Sequence, residues 1–118
     1  LLPHAGGLGE ETFDQGILLN QPALCIAGAV KEQVGRFIKK NSDTVKIDAV
    51  KRAEDGDGFV VHMHEITGGR ASVEITSDYP VRAYAACNLL EEYDGKTEGN
   101  TIHADFGPFE IKCFRIWM

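Results

Sequence analysis

Two histidines, His62 and His64, have the spacing in this chain that most suggests a metal site. The alternation of apolar residues around them predicts a strand, in which positions two apart point to one face with side chains roughly 7 Å apart. Two imidazoles on one face could bind a metal ion together with His103 or His4. No carboxylate or cysteine shares their spacing, so we favour the alternative, that both lie on the solvated face of the strand, and predict no metal site.

Acidic residues occur in adjacent pairs, Glu10-Glu11 and Glu91-Glu92. Neighbours in sequence do not face each other, whereas glycoside hydrolysis needs two carboxyl groups about 5–10 Å apart across a cleft. Residues 54–58 superficially match a calcium loop, but no Glu closes a twelve-residue loop, and a tight turn is predicted instead. In that turn Gly56 and Gly58 supply positive φ angles. We therefore predict no catalytic residue in this chain.

Length, net charge and cysteine content limit what kind of protein this chain can be and what it can bind. The 118 residues suffice for one domain with a core of its own, and the net charge of −6 argues against nucleic acid or an anionic membrane as partner. The cysteines, Cys25, Cys87 and Cys113, are odd in number and far apart. This pattern predicts three buried free thiols in a reducing cytosol, and hence a cytoplasmic protein.

Aromatic residues could form a platform for a sugar ring, because the C–H edges of pyranoses are apolar. Tyr79, Tyr84, Tyr93 and Trp117 are scattered along the chain, however, and burial is predicted for each.

These side chains must be positioned by strands. From Phe37 onward apolar residues alternate with polar ones, a period that a half-buried antiparallel strand requires. Turn residues recur at intervals of about 8–12, which is typical of an all-β sandwich. The predicted strands cover residues 45–50, 59–64, 71–76, 81–86, 102–106 and 109–118. In the last of these the apolar residues change phase, so a bulge is predicted near Cys113.

The first 36 residues differ in pattern. Residues 3–9 predict a glycine-rich loop after a stub of strand, residues 10–19 a short helix, and residues 23–30 another strand. The chain starts without Met, which suggests a fragment. We predict two parts: residues 1–36, a strand, loop and short helix continuing from a missing upstream domain, and residues 37–118, a two-sheet antiparallel β-sandwich.

Several short motifs resemble the C-terminal β-domain of glycoside hydrolase family 38 α-mannosidases. They are the strand and turn of residues 45–58, the segment 60–65 ending in Glu65, the Asn88-Leu89-Leu90-Glu91 sequence and the closing segment 108–112. The family's usual Arg and Tyr positions hold His62 and His64. Residues 2–6 and 19–22 are similar to segments that precede this domain in bacterial members.

The resemblance implies that the parent chain is a retaining exo-α-mannosidase of mannose metabolism. It implies that zinc, the nucleophile and the acid/base lie in an N-terminal catalytic domain, with no cofactor in this segment. The sandwich would brace that missing domain, reach the α-mannoside only through it, and be part of a homo-oligomer. If a loop of this chain lines the sugar site, we expect residues 3–9, with His4, Gly6 and Gly7 near the substrate.

Two alternatives stay open at this point. An independent carbohydrate-binding module would bind sugars at exposed aromatic residues. A metal-binding sandwich would use His4, His62, His64 and His103.

Overall fold

The computed structural model describes residues 2–29 and 35–118, which belong to two compact units, residues 1–34 and 35–118. The first contains a helix, α1, Glu10–Asn20. The second contains eight strands: β1 (Lys39–Lys40), β2 (Val45–Arg52), β3 (Phe59–Glu65), β4 (Ala71–Thr76), β5 (Ala83–Cys87), β6 (Thr97–Glu98), β7 (Ile102–Phe106) and β8 (Ile111–Trp117). The predicted boundary after residue 36 falls near this division. That the first segment continues from an upstream domain stays a prediction.

In the first unit the predicted helix is confirmed. Glu10 and Glu11 occupy the first turn of α1, where negative side chains complement the helix dipole. Asn20 ends the helix, and its amide donates to the Gly16 carbonyl at 2.8 Å. Within the two described segments, no helix combines the length and the apolar character that a bilayer crossing requires.

The strand predicted at residues 23–30 is wrong over residues 23–29, which form no strand; Val30 lies outside the described residues. Leu24 and Ile26 are exposed. An apolar run becomes a strand only where a neighbouring strand pairs with its backbone and a second layer covers one face. The small-residue run at 23–29 has the composition of a strand but no such partner within the described part of its unit.

In the second unit, the strands of residues 35–118 form two antiparallel sheets, which confirms the all-β sandwich. One sheet has the order β2-β3-β8-β5-β6 and the other β1-β4-β7. Buried residues from both sheets form one core, including Met63 and Ile116 from the larger sheet and Ile75 and Phe106 from the smaller. The burial of these apolar side chains stabilises the fold by roughly 1.5–3 kcal/mol each.

β8 lies at the centre of the larger sheet, paired with β3 on one side and β5 on the other. The bulge predicted near Cys113 is wrong, because both ladders run through Cys113 without a shift of register. The change of phase has another cause. Phe114 and Ile116 face the core between the sheets, while the alternate residues Cys113, Arg115 and Trp117 are also buried. A strand covered on both faces loses the simple alternation of a half-buried strand.

The register irregularity lies instead in β2, between Ile47 and Ala49. Asp48 is the extra residue, a β-bulge in a strand at the edge of the sheet. Such a bulge bends the edge and discourages pairing with another chain. It also brings the Asp48 carboxylate within 2.8 Å of His64 Nδ1 on the neighbouring strand.

Candidate functional site

Glu65 connects two turns at one end of the larger sheet, and we call this region the Glu65 junction (residues 65–68 and 107–110). Glu65 ends β3 and is fully buried. Its carboxylate accepts N–H groups of Thr67 at 2.8 Å, Gly68 at 2.7 Å and Phe109 at 3.0 Å, as well as the Thr67 hydroxyl. One side chain thus fixes the turn after β3 and the turn before β8, whose residues are far apart in sequence.

The electrostatics of Glu65 follow from these contacts. Burial alone would raise the pKa of the carboxyl, since it disfavours the charged form. Hydrogen bonds from Thr67, Phe109 and Gly68 outweigh burial and lower the pKa from 4.5 to about 2. Glu65 is therefore ionised at neutral pH, and all these donors stabilise the charged form. A carboxylate held in this way is a structural anchor and a poor proton donor.

The junction displays two apolar side chains. Phe109 is 67% exposed and has φ 54, and Ile111, at the start of β8, is 64% exposed. The Phe109 ring lies against Gly68, where an added Cβ would approach the ring atoms to 2.8 Å. The exposed ring is thus held by the same turn that Glu65 fixes.

A second rigid turn follows β5 at residues 88–92, and we call it the leucine turn. The Asn88 side-chain oxygen accepts the N–H groups of Leu90 and Glu92, and its amide donates to the Glu92 carboxylate at 2.7 Å. Leu89 and Leu90 are 71% and 78% exposed. The turn therefore presents two large apolar side chains to solvent on a backbone that Asn88 holds.

Glu91 anchors the leucine turn to the outer face of the larger sheet. It is buried with φ 65, accepts the Glu54 N–H at 2.8 Å and pairs with Lys51 Nζ at 2.7 Å. The ion pair with Lys51 and the hydrogen bond from Glu54 lower the pKa of Glu91. In the Asn-Leu-Leu-Glu sequence, the two polar residues thus fix the conformation and position of the turn, and the two leucines project from it into solvent.

The hairpin between β2 and β3 binds the end of β8. The predicted tight turn is confirmed, with φ 80 at Gly56 and 89 at Gly58. Asp55 accepts two hydrogen bonds from the buried Arg115 at 2.6 and 2.7 Å, and the Asp57 carboxylate accepts one from Trp117 Nε1 at 2.9 Å. The hydrogen bonds from Arg115 lower the pKa of Asp55. The aspartates of the segment that superficially matches a calcium loop, Asp55 and Asp57, therefore accept hydrogen bonds from the Arg115 guanidinium and the Trp117 indole.

The aromatic residues do not form a common platform. Trp117 is buried, with the Tyr93 ring 5.1 Å away and Lys96 Nζ 3.9 Å above it. Tyr84 and Tyr93 are partly buried, while Tyr79 is exposed, so burial is wrong for Tyr79. The Phe37 ring lies beside it, with 6.3 Å between the ring centroids and an angle of 45° between the ring planes.

Three of the histidines considered as possible metal ligands, His62, His64 and His103, lie in the second unit and have separate partners there. His62 and His64 do share the outer face of β3, but His62 Nδ1 lies 3.0 Å from Cys113 Sγ and His64 pairs with Asp48. His103 lies in the other sheet, 3.7 Å from Glu74. Among residues 2–29 and 35–118, no three His, Cys, Asp or Glu side chains are grouped so as to hold a metal ion.

The predicted substrate-proximal loop belongs to the first unit. His4, Gly6 and Gly7 are exposed, and Gly6 has φ 81. A groove of about 540 Å³ in this unit is lined by Leu2 and residues of α1, and none of the three predicted residues lines it. Their proximity to a substrate stays a prediction.

Sequence reasoning missed three features. Arg115 and the hairpin aspartates are 58–60 residues apart, and only the antiparallel register joins them. Cys87 and Cys113 are directly opposite each other in β5 and β8. The prediction of three buried thiols is wrong for Cys25, which is exposed.

Comparison with known proteins agrees with this architecture. Residues 44–114 match the family described as glycosyl hydrolases family 38 C-terminal beta sandwich domain. Alpha-mannosidase G of Dictyostelium discoideum is 36% identical to the chain over 84 residues. The aligned stretch covers 67% of this chain but 8% of that protein, so the chain spans a small part of its relative. No solved structure matches significantly.

Proposed function

Because the chain belongs to glycosyl hydrolase family 38 and carries its C-terminal β-sandwich domain, we propose that it is a non-catalytic, bracing part of an α-mannosidase. The parent enzyme hydrolyses terminal α-mannosides with retention, and its catalytic domain packs on this sandwich. The observation that carries the proposal is the family match over residues 44–114, together with a relative named as an α-mannosidase.

The roles of the buried carboxylates support a non-catalytic domain. Glu65 binds backbone N–H groups, and Glu91 binds Lys51 and the Glu54 backbone. A general acid needs a raised pKa, whereas hydrogen bonds lower the pKa of Glu65, and the Lys51 ion pair with the Glu54 hydrogen bond lowers that of Glu91. Their chemistry is that of structural anchors.

The exposed apolar side chains support bracing. Leu89 and Leu90 project from the leucine turn, and Phe109 and Ile111 from the Glu65 junction. β5 ends and β8 begins at the same end of the larger sheet, because Cys87 is paired with Cys113. Apolar groups that a polar framework holds in solvent are typical of a surface that packs against another domain.

Further properties of the parent enzyme belong to the same proposal. Zinc, the nucleophile and the acid/base lie in the catalytic domain, and the loop with His4, Gly6 and Gly7 faces the sugar site. The enzyme is a cytoplasmic protein of bacterial type, takes part in mannose metabolism and forms homo-oligomers.

An activity assay tests the proposal. The isolated chain should not hydrolyse an aryl α-mannoside, with or without added zinc, whereas the parent chain should do so and lose activity on chelation. Turnover by the isolated chain that survives chelation would overturn the non-catalytic assignment. Titration calorimetry of the isolated chain with methyl mannoside should show no heat of binding, and saturable binding would favour a carbohydrate-binding module instead.

A further inference from the structure

Cys87 and Cys113 face each other across the two neighbouring strands β5 and β8. They are direct partners in the antiparallel register, so their side chains point to the same face of the sheet. That face is the outer one, where Cys113 is buried with Val60 and Ala53 and Cys87 packs against this cluster. The two sulfur atoms thus share one small apolar site although 25 residues separate them in sequence.

The distance expected between the two Cβ atoms is close to the distance that a disulfide requires. Opposite residues of an antiparallel pair have Cβ atoms about 4.5–5.5 Å apart, and a disulfide needs about 3.5–4.5 Å. A small approach of the two strands closes this difference, and rotation about the Cα–Cβ bonds then brings the two sulfur atoms together. We propose that Cys87 and Cys113 are an oxidisable dithiol, a modification site that forms a cross-strand disulfide when a small-molecule disulfide or a peroxide reaches it.

The two thiols differ in access. Cys87 is half-buried and lines an open groove of about 890 Å³, together with Asn88, Tyr93 and Thr97. Cys113 is buried. An oxidant of the size of glutathione disulfide therefore meets Cys87 first, and Cys113 acts as the resolving thiol.

His62 supplies the proton acceptor for the second step. Its Nδ1 lies 3.0 Å from Cys113 Sγ, and in the tautomer protonated at Nε2 it accepts the thiol hydrogen. Burial raises the pKa of both thiols, so few thiolates exist at neutral pH and a nearby base speeds the reaction.

The reaction with glutathione disulfide balances without a further reagent. Cys87 loses its proton to solvent, and its thiolate attacks one glutathione sulfur and breaks the S–S bond. This leaves a mixed disulfide on Cys87 and releases one glutathione thiolate, which takes up a proton from solvent. His62 takes the Cys113 proton, the Cys113 thiolate attacks the Cys87 sulfur, and the second glutathione leaves with that proton. The protein dithiol loses two electrons, and one glutathione disulfide becomes two glutathione thiols.

The test uses the folded chain with the substitution Cys25→Ser, which removes the exposed thiol. After incubation with glutathione disulfide and alkylation of free thiols, we expect an intact mass lower by two hydrogens and no alkylation. Proteolysis should yield a peptide that links Cys87 to Cys113 and is cleaved by dithiothreitol. The outcome should be the same with hydrogen peroxide, which gives a sulfenic acid at Cys87 in place of the mixed disulfide.

Two histidine variants separate His62 from its neighbour. His62→Gln should slow the second step about tenfold or more, so that the glutathione adduct on Cys87 accumulates. His64→Gln is the matched control, because His64 lies on the same face but pairs with Asp48, and it should leave the rate unchanged. Equal rates in both variants would overturn the role of His62.

Two further outcomes would overturn the dithiol itself. One is a stable glutathione adduct on Cys87 that never converts to the internal disulfide. The other is a folded protein that stays reduced while the urea-unfolded protein oxidises. Neither outcome bears on the mannosidase assignment, because the thiols are not part of the surface proposed for bracing.

Discussion

At the scale of single residues, Glu65 shows how one side chain can hold two turns together. It is a buried carboxylate that accepts three backbone N–H groups and one hydroxyl, from two turns. Such an arrangement stabilises the fold only while the carboxyl is ionised, because a protonated oxygen cannot accept all these hydrogen bonds.

The stability contributed by Glu65 should depend on pH with a known sign. The pKa of about 2 in the folded chain lies below the ordinary 4.5, so the contribution is full above pH 4.5 and is lost as pH falls from 4.5 towards 2. We expect Glu65→Gln to lower the unfolding midpoint in urea at pH 7. The difference between this variant and the wild-type chain should shrink between pH 4.5 and pH 2.

Glu98→Gln is the control, because Glu98 is an exposed residue of β6. Its midpoint should follow that of the wild-type chain at each pH. A Glu65→Gln variant as stable as the wild-type chain at pH 7 would contradict the role given to Glu65.

The sequence predicts such residues only in part. Glu65 matches a family motif, so its position could be found, but its partner Phe109 lies 44 residues away and is fixed by the β3–β8 register. The same limit applies to the histidines. Alternation correctly put His62 and His64 on one face, yet the bulge at Asp48 and the neighbouring Cys113 decide what each imidazole contacts.

At the scale of elements, the β2–β3 hairpin shows how closely a turn can approach a strand. Gly58 has φ 89, and a Cβ added there would lie 2.6 Å from the Ile116 carbonyl oxygen. Gly56 has a similar φ of 80, but its nearest neighbour would be the flexible Arg52 side chain at 3.8 Å. A substitution at Gly56 therefore measures the cost of a positive φ alone, whereas a substitution at Gly58 measures that cost together with the cost of a steric clash.

We expect Gly56→Ala to reduce the free energy of unfolding by about 1–2 kcal/mol, the cost of a positive φ for a residue with a side chain. In Gly58→Ala the overlap of the new methyl group with the β8 backbone costs about 1–3 kcal/mol more, which gives a total loss of about 2–5 kcal/mol. Urea denaturation followed by circular dichroism measures both. Equal losses would show that the hairpin moves away from β8 without cost.

The alternation of apolar and polar residues predicts a strand's buried face correctly where only one face is buried. It misleads where both faces of the strand are covered. β4 and β7 alternate clearly, with Val73 and Ile75 in the core and Glu74 in solvent. β8 does not, because the hairpin and the segment after the leucine turn cover its outer face. No property of residues 109–118 alone reveals that cover. The phase change alone therefore predicts a bulge, which the ladder does not contain.

At the scale of the whole molecule, the leucine turn is the feature that best tests the bracing role. Leu89 and Leu90 contribute little to the core, since both are largely exposed. We expect the double substitution Leu89→Ser and Leu90→Ser to change the stability of the isolated chain by less than about 0.5 kcal/mol. In the full-length parent enzyme it should lower the thermal midpoint and the yield of active protein.

Val50→Ser in the parent enzyme is the control, because Val50 is a partly exposed residue on the edge strand β2. Its effect should be the same in the isolated chain and in the parent. A parent enzyme unaffected by the double leucine substitution would argue against docking through the leucine turn.

The position of β8 in the chain also governs how the sandwich is made. The ribosome delivers β3 and β5 before β8, the strand that must lie between them. Until then the larger sheet is two separate halves, with open backbone edges that any other extended chain can pair with. The larger sheet can therefore close only after β8 has been synthesised, and the nascent protein is most exposed to misassembly shortly before that moment.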